Sequence, residues 1–286
     1  MNPVRDLARD RVASPKDLGG AISSGMNKKI IVANWKMSPD SLAEAEQILD
    51  SVDEYLGSLE EEELSLVFCP PFVFIEEVGK ILKTSHFIHQ AELGAQDISV
   101  DDGTAMIGEV SGPMLGKLGV RYVIIGHSER RWSASRRIGE SDETVNKKLK
   151  AVLRNEMIPI VCVGERTRDE NFKGFLKNQV LATFADLSAD DVGKCIIAYE
   201  PVWAISTTPG ARPDTPESAL ESIRVIKEVL TTQYSPLNTH YLYGGSIISA
   251  NAREFLQNDQ FNGVLIGGAS VNKDEFVKIL SVASGL

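Results

Sequence analysis

From residue 29 onward, short apolar runs alternate with longer amphipathic stretches. Eight runs read as strands: 29–33, 64–69, 87–91, 122–126, 158–163, 195–199, 240–243 and 263–266. They are largely apolar at every position rather than at every second one. Parallel strands covered on both faces carry that signature. Between them lie helical patterns, clearest over 41–55, 141–154, 216–231 and 273–280. In the first, Ser41 stands at a capping position, and Leu42, Ala45, Ile48 and Leu49 fall on one stripe. The 216–231 stretch repeats the design, with Pro216 in its first turn and Leu220, Ile223, Ile226 and Leu230 on one side. Strand followed by helix, eight times over, closes most economically into an α/β barrel. A doubly wound open sheet would call for a Gly-rich nucleotide loop after the first strand, and "IIVANWKM" has none.

No linker divides the chain after residue 28, so 28–286 reads as one barrel domain. Residues 1–27 lack any sustained apolar period and read as a flexible extension, leader or tag. Arg5, Arg9, Arg11 and Lys16 would suit a targeting segment, but Asp6, Asp10 and Asp17 speak against a transit peptide.

Charge narrows the function. Across 286 residues, 30 Lys and Arg stand against 40 Asp and Glu, a formal net charge of -10. An extended nucleic-acid backbone rewards the opposite sign. No apolar run approaches the roughly 18 residues of a membrane span. Cys69, Cys162 and Cys195 each sit inside an apolar run without a CxxC pair, which reads as buried free thiols in a reducing compartment. The four histidines show no metal-ligand spacing, so no metal site is expected.

Chemistry concentrates where strands end, the face on which a barrel carries its active site. Asn34 and Lys36 end the first run, and a spacing of two puts both on one side of an extended segment. "RYVIIGHSERRW" stops a buried strand at His127, where the positive end of a following helix would favour a neutral ring. A cap with a structural ion network through Glu129, Arg130 and Arg131 is the competing reading. Glu200 follows the sixth run, flanked by Ile197, Tyr199, Val202 and Trp203, a dry setting suited to a general base. An ordinary salt-bridged glutamate is the alternative there. The 201–213 segment is too long for a minimal turn and reads as a lid. The last two runs end in "YGGS" and "IGGAS", two adjacent turns whose bare backbone N–H groups would cradle a phosphate. Lys36 would add the positive charge.

In order along the chain, "ANWKM", "GHSERR", "PIVCVGE", "AYEPVWAI", "YGGS" and "GGAS" resemble the motifs of the triosephosphate isomerase family, over roughly residues 28 to 282. The resemblance implies a (β/α)8 TIM barrel that interconverts dihydroxyacetone phosphate and D-glyceraldehyde 3-phosphate. It implies a glycolytic and gluconeogenic enzyme of the cytoplasm, without cofactor or metal, and a homodimer. By the same resemblance Glu200 is the base, His127 the electrophile, Asn34 and Lys36 the substrate-contacting pair, and Glu129 a further active-site acid. Ser206, Ser246, Gly267 and Gly268 take the phosphate positions. Cys162 is read as a packing residue beside the base. A weakened barrel that only binds phosphorylated sugars, or another phosphate-binding barrel enzyme, are the competing functions.

Three departures stand out. The lid reads "AISTTPGARPDTP" where the family commonly has "AIGTGKTA". Ser206 and Thr208 replace glycines, Pro209 and Pro213 stiffen the returning hinge, and three residues are added. Altered lid closure is the expectation. "AQD" at 95–97 replaces the familiar "AQN". In the 104–109 tip, Ile107 stands where the family usually has Thr. That either weakens support from a neighbouring subunit or buries more apolar area against it.

Overall fold

The computed structural model describes residues 28–59, 64–85, 91–103, 105–132, 139–235 and 237–286. The extension expected over 1–27 lies outside them.

Eight parallel strands close into a barrel in sequence order, with β1 paired to both β2 and β8. They are β1 (Lys29–Asn34), β2 (Leu64–Cys69), β3 (Ala91–Ala95), β4 (Tyr122–Ile125), β5 (Ile158–Val163), β6 (Ile196–Tyr199), β7 (His240–Tyr243) and β8 (Gly263–Ile266). Helices follow each in turn. They are α1 (Leu42–Leu56), α2 (Ile75–Thr84), α3 (Gly112–Lys117), α4 (Ser128–Trp132), α5 (Asp142–Arg154), α6 (Phe172–Thr183), α7 (Ala189–Gly193), α8 (Pro216–Gln233), α9 (Ser249–Leu256) and α10 (Lys273–Ser284). The cap signals hold at atomic level: Ser41, Ser141 and Thr215 each accept a backbone N–H from the first turn of α1, α5 and α8.

The continuous apolarity of the strands resolves into two cores. Ile30, Val32, Val67, Ile124, Ile160, Ala198 and Leu242 point inward and fill the barrel. Their neighbours Ile31, Ala33, Phe68, Val123, Val161, Ile197 and Tyr243 point outward and meet the helices. Alternation exists, but both faces are dry.

The third strand corrects the sequence expectation. It runs Ala91–Ala95, sharing only Ala91 with the window 87–91, whose other residues lie outside those described. "AELGA" has no β-branched or aromatic residue to announce a strand. Its neighbours impose the conformation, through Leu66↔Ala91, Phe68↔Leu93 and Gly94↔Tyr122.

Register then builds the site. Asn34 pairs with Cys69, and Val163 with Tyr199. The Glu200 N–H donates to the Val163 carbonyl at 2.8 Å and the Gly244 N–H to the Tyr199 carbonyl at 2.7 Å. Residues just past the strand ends are thereby carried to one rim.

Candidate active site

A cavity of about 420 Å³ opens at that rim, lined by Asn34, Lys36, His127, Glu200, Ser206, Ser246, Gly267 and Gly268. Eight of the nine residues expected from the sequence therefore share one space. Glu129 is the ninth. It stands behind Lys36, its Oε1 2.6 Å from the lysine Nζ. Burial pushes the Glu129 carboxyl up, but Lys36, with smaller pulls from other neighbours, holds it below the usual range.

Glu200 is buried, 2% exposed. Its Oε2 accepts the Ser128 backbone N–H at 2.9 Å, and its Oε1 lies 3.1 Å from His127 Nε2. On the other side of the ring, His127 Nδ1 accepts the Glu129 backbone N–H at 3.1 Å. A nitrogen that accepts cannot carry a proton. The ring is therefore neutral, with its one N–H at Nε2 directed at the carboxylate. The first turn of α4 thus sets the histidine tautomer and parks the glutamate.

The competing structural reading of "GHSERR" is also present, divided by residue. Glu129 goes to Lys36 in the cavity wall. Arg130 reaches Asp97 and Glu140, and Arg131 reaches Asp142 and the Gly126 carbonyl, all outside the cavity.

Asn34 and Lys36 converge by a different route from the one expected. β1 ends at Asn34, and Lys36 adopts a left-handed φ of 53°. A lysine pays for that conformation on the order of 1–3 kcal/mol, so its surroundings must over-determine it. They do, through the Glu129 ion pair and through Asn34 Oδ1, which accepts the Lys36 N–H at 3.1 Å. Extended alternation would have aimed the side chains; the tight turn does so instead.

One glycine is required by close approach, and a second is tightly fitted. A Cβ on Gly244 would stand 2.9 Å from Glu200 Cγ, and one on Gly267 would stand 3.1 Å from Lys36 Cε. Gly268 opens a 3-10 turn, Gly268–Val271, against the cavity. The Ser206 N–H is not free: it donates to Ser246 Oγ at 2.8 Å, and that hydroxyl donates on to the Ala204 carbonyl at 3.0 Å. Cys162 is fully buried, and burial followed by the Glu200 carboxylate pushes its thiol well up. It is a neutral wall of the site rather than a nucleophile.

The family model for triosephosphate isomerase matches residues 29–283. The chain belongs to the triosephosphate isomerase family. Among curated relatives, the triosephosphate isomerase of Aquifex aeolicus (strain VF5) is 38% identical over 260 residues, covering 88% of this chain and 98% of the relative. That of Trichodesmium erythraeum (strain IMS101) is 38% identical over 257 residues, covering 90% and 99%. That of Alkaliphilus oremlandii (strain OhILAs) is 36% identical over 261 residues, covering 90% and 100%.

As a member of this family the chain is an enzyme that interconverts two triose phosphates. Sequence reading missed one part of this isomerase's rim. Glu165, 1% exposed, accepts from Tyr199 Oη at 2.8 Å, from Trp203 Nε1 at 3.0 Å and from Arg168 Nη1 at 3.2 Å. It seats the first hinge of the lid. Its signal was the polar end of "PIVCVGE", another strand end. Among the described residues no helix is long and apolar enough to cross a membrane, and no His, Cys, Asp and Glu cluster could hold a metal ion.

Proposed function

We propose that Glu200 and His127 carry the interconversion of dihydroxyacetone phosphate and D-glyceraldehyde 3-phosphate. The observation that carries this reading is the tautomer: a neutral His127 whose single N–H faces the Glu200 carboxylate. At 3.1 Å the two leave no room for substrate between them. The substrate carbonyl oxygen takes over the Nε2–H, and Glu200 leaves the Ser128 N–H to reach the carbon beside it. Glu200 removes that C–H proton. The bonding pair becomes the enediolate double bond, and the carbonyl pair moves to oxygen. His127 Nε2–H and Lys36 Nζ stabilise that oxygen. The hydroxyl proton on the deprotonated carbon passes by way of His127 Nε2 to the former carbonyl oxygen, and as the oxygen left behind re-forms a C=O, Glu200 returns its proton to the neighbouring carbon. Asn34 orients a substrate oxygen, and Glu129 holds Lys36 in its left-handed turn.

The phosphate sits on backbone N–H groups around Ser246, Gly267 and Gly268. Ser206 exchanges its bond to Ser246 Oγ for one to phosphate as the lid closes, keeping water from the intermediate. Cys162 packs beside the base. No step needs a cofactor or metal.

A coupled assay with D-glyceraldehyde 3-phosphate tests the base. Glu200→Gln is expected to lower kcat by about 10²–10⁴-fold with phosphate binding largely kept. Unchanged turnover removes Glu200 from the role.

The reading extends to a homodimer. Met37, Val73, Met106, Ile107 and Met114 are exposed apolar side chains, on the loops after β1, β2 and β3 and on α3, and a second copy would cover them. Ile107 is fully exposed in the single chain, which favours burial against a neighbour as its use. Light scattering at low concentration should give twice the chain mass, and an Ile107→Asp variant should shift toward the monomer. A cytoplasmic location is part of the same proposal, supported by the three buried free thiols.

A further inference from the structure

From Pro201 to Arg212 the lid is bonded to itself. Val202–Ala204 form a 3-10 turn directly after Pro201. The Thr208 N–H donates to the Ile205 carbonyl at 2.8 Å, and the Ala211 N–H to the Thr208 carbonyl at 3.0 Å. The second of these turns carries Gly210 at a left-handed φ of 74°. Ser206 and Thr208, which stand where the family commonly has glycines, are not left-handed. The reversal of the chain therefore rests on Gly210, and neither replaced glycine is needed for it.

The two ends of the lid also meet. The Arg212 N–H donates to the Trp203 carbonyl at 3.2 Å, and the Arg212 guanidinium lies over the Trp203 ring, 5.1 Å from its centroid. The edge of the same indole is fixed by the barrel, because its Nε1 donates to the buried Glu165 at 3.0 Å. Trp203 is half-buried and Arg212 exposed, so the guanidinium covers ring that the barrel leaves open. Arg212 belongs to the stretch that departs from the family's usual lid.

A loop tied across its base and turned twice within moves as one piece. In it the Ser206 N–H already stands at the cavity wall, on Ser246 Oγ. Ordering a slack loop at each binding event costs backbone entropy at every residue, and a loop already shaped for its ligand avoids that loss. We propose that Arg212 is a positioning residue for the isomerisation: by covering Trp203 it keeps the lid braced, with the Ser206 N–H aimed at the substrate phosphate. Arg212 acts through Trp203 and not on the substrate. A cation over an exposed indole is worth about a two- to fivefold shift in such an equilibrium. The braced fraction enters the apparent affinity directly, so the loss falls on KM. Proton transfer between Glu200 and the substrate is left alone once the lid is down. The proposal rests on the lid's part in the reaction read above.

Amide exchange and isomerase kinetics on the full chain test it. Without substrate, Arg212→Gln should lower the protection of the Thr208 and Ala211 amides about two- to fivefold. KM for D-glyceraldehyde 3-phosphate should rise by about the same factor at unchanged kcat. Arg212→Lys keeps a cation at the ring and should restore most of both. In a Trp203→Leu background Arg212→Gln should change neither further, because the ring it covers is gone. Arg212 is exposed, so its own variants leave the core intact and the test does not hang on Trp203→Leu folding. Unchanged amide protection in Arg212→Gln overturns the proposal. So does a loss that Arg212→Lys fails to restore, or one of equal size in the Trp203→Leu background. Lowered protection with KM unmoved overturns it too. Ser206→Pro, which deletes the N–H read to grip phosphate, then locates the fault: if KM again stays put, the lid reading itself has failed. An active Glu200→Gln would remove the catalytic reading and leave the amide protection untouched.

Discussion

On the β4 side of the barrel mouth, four charges form a closed ring, Asp97 and Lys148 buried, Arg130 and Glu140 half-buried. Lys148 Nζ lies 2.5 Å from Asp97 and 2.9 Å from Glu140, and Arg130 lies 2.5 Å from each. On the β6 side, one guanidinium, Arg168, lies 3.2 Å from Glu165 and 2.8 Å from Glu221 with the Asp214 carboxyl in its field, and Glu165 leaves one oxygen unpaired. Glu140 also leaves one oxygen unpaired, but its other oxygen is held by two cations. In this ring Lys148 and Arg130 hold the Glu140 carboxyl below its ordinary value, while burial outweighs the same two cations at Asp97 and raises it. On the β6 side burial raises the Asp214 carboxyl against the pull of Ser218, the Thr215 N–H and Arg168. The balanced ring supports the half of the site built from Glu129, His127 and Lys36, where geometry must be fixed. The unbalanced one lies under the segment proposed to open and close. Asp97, where the family commonly has Asn, supplies the charge that balances the ring.

Removing one member separates the two designs. Lys148→Met leaves the buried Asp97 and the half-buried Glu140 on Arg130 alone. It should cost about 3–5 kcal/mol in denaturant unfolding, since breaking a buried pair strands a charge. A loss below ~1 kcal/mol, the range of an exposed pair, would make the ring ornamental. Glu140→Gln should cost less, about 1.5–3 kcal/mol for its charged hydrogen bonds. Its pH dependence has a definite sign. Burial raises the Glu140 carboxyl, but Lys148 and Arg130 prevail and hold it below its ordinary value. Its contribution is complete above the ordinary carboxylate range and is lost as pH falls through the lowered value, so the gap to Glu140→Gln should close in acid. Asp214→Asn should have the smallest effect, within about 1 kcal/mol, and the opposite sign. The Asp214 carboxyl is raised. The folded protein holds that proton more tightly than the unfolded chain, so stability falls as pH rises from the ordinary value through the raised one. The variant should therefore gain on the wild type as pH rises, which melting temperatures at pH 5 and pH 8 would record. Equal slopes for the two variants would erase the contrast between the clusters.

Most of the barrel was legible because its strands are made of β-branched and aromatic residues that announce themselves. β3 was not, because "AELGA" becomes a strand only when β2 and β4 dictate it. The short helices α3, α4 and α7 span too few turns to show a period. Asn34 closes β1, Glu200 and Gly267 directly follow β6 and β8, and His127, Gly268, Ser246 and Glu129 lie two to four residues past a strand end, so topology collects these seven. Ser206 belongs to the lid, and Lys36 arrives by its left-handed turn, which nothing about a lysine foretells.

The chain's local chemistry by itself determined the strand–helix alternation, the dry strands and the identity of the groups brought to the rim. These follow from side-chain hydrophobicity and capping, which act over a few residues. The tertiary structure alone decided which nitrogen of His127 holds the proton, that Asp97 completes a ring with residues 33 to 51 positions away, and that Asp214 and Glu165 share a neighbourhood. Those outcomes depend on distances of a few ångströms between groups remote in sequence. Electrostatic energies rise steeply at that range, and no local pattern encodes them.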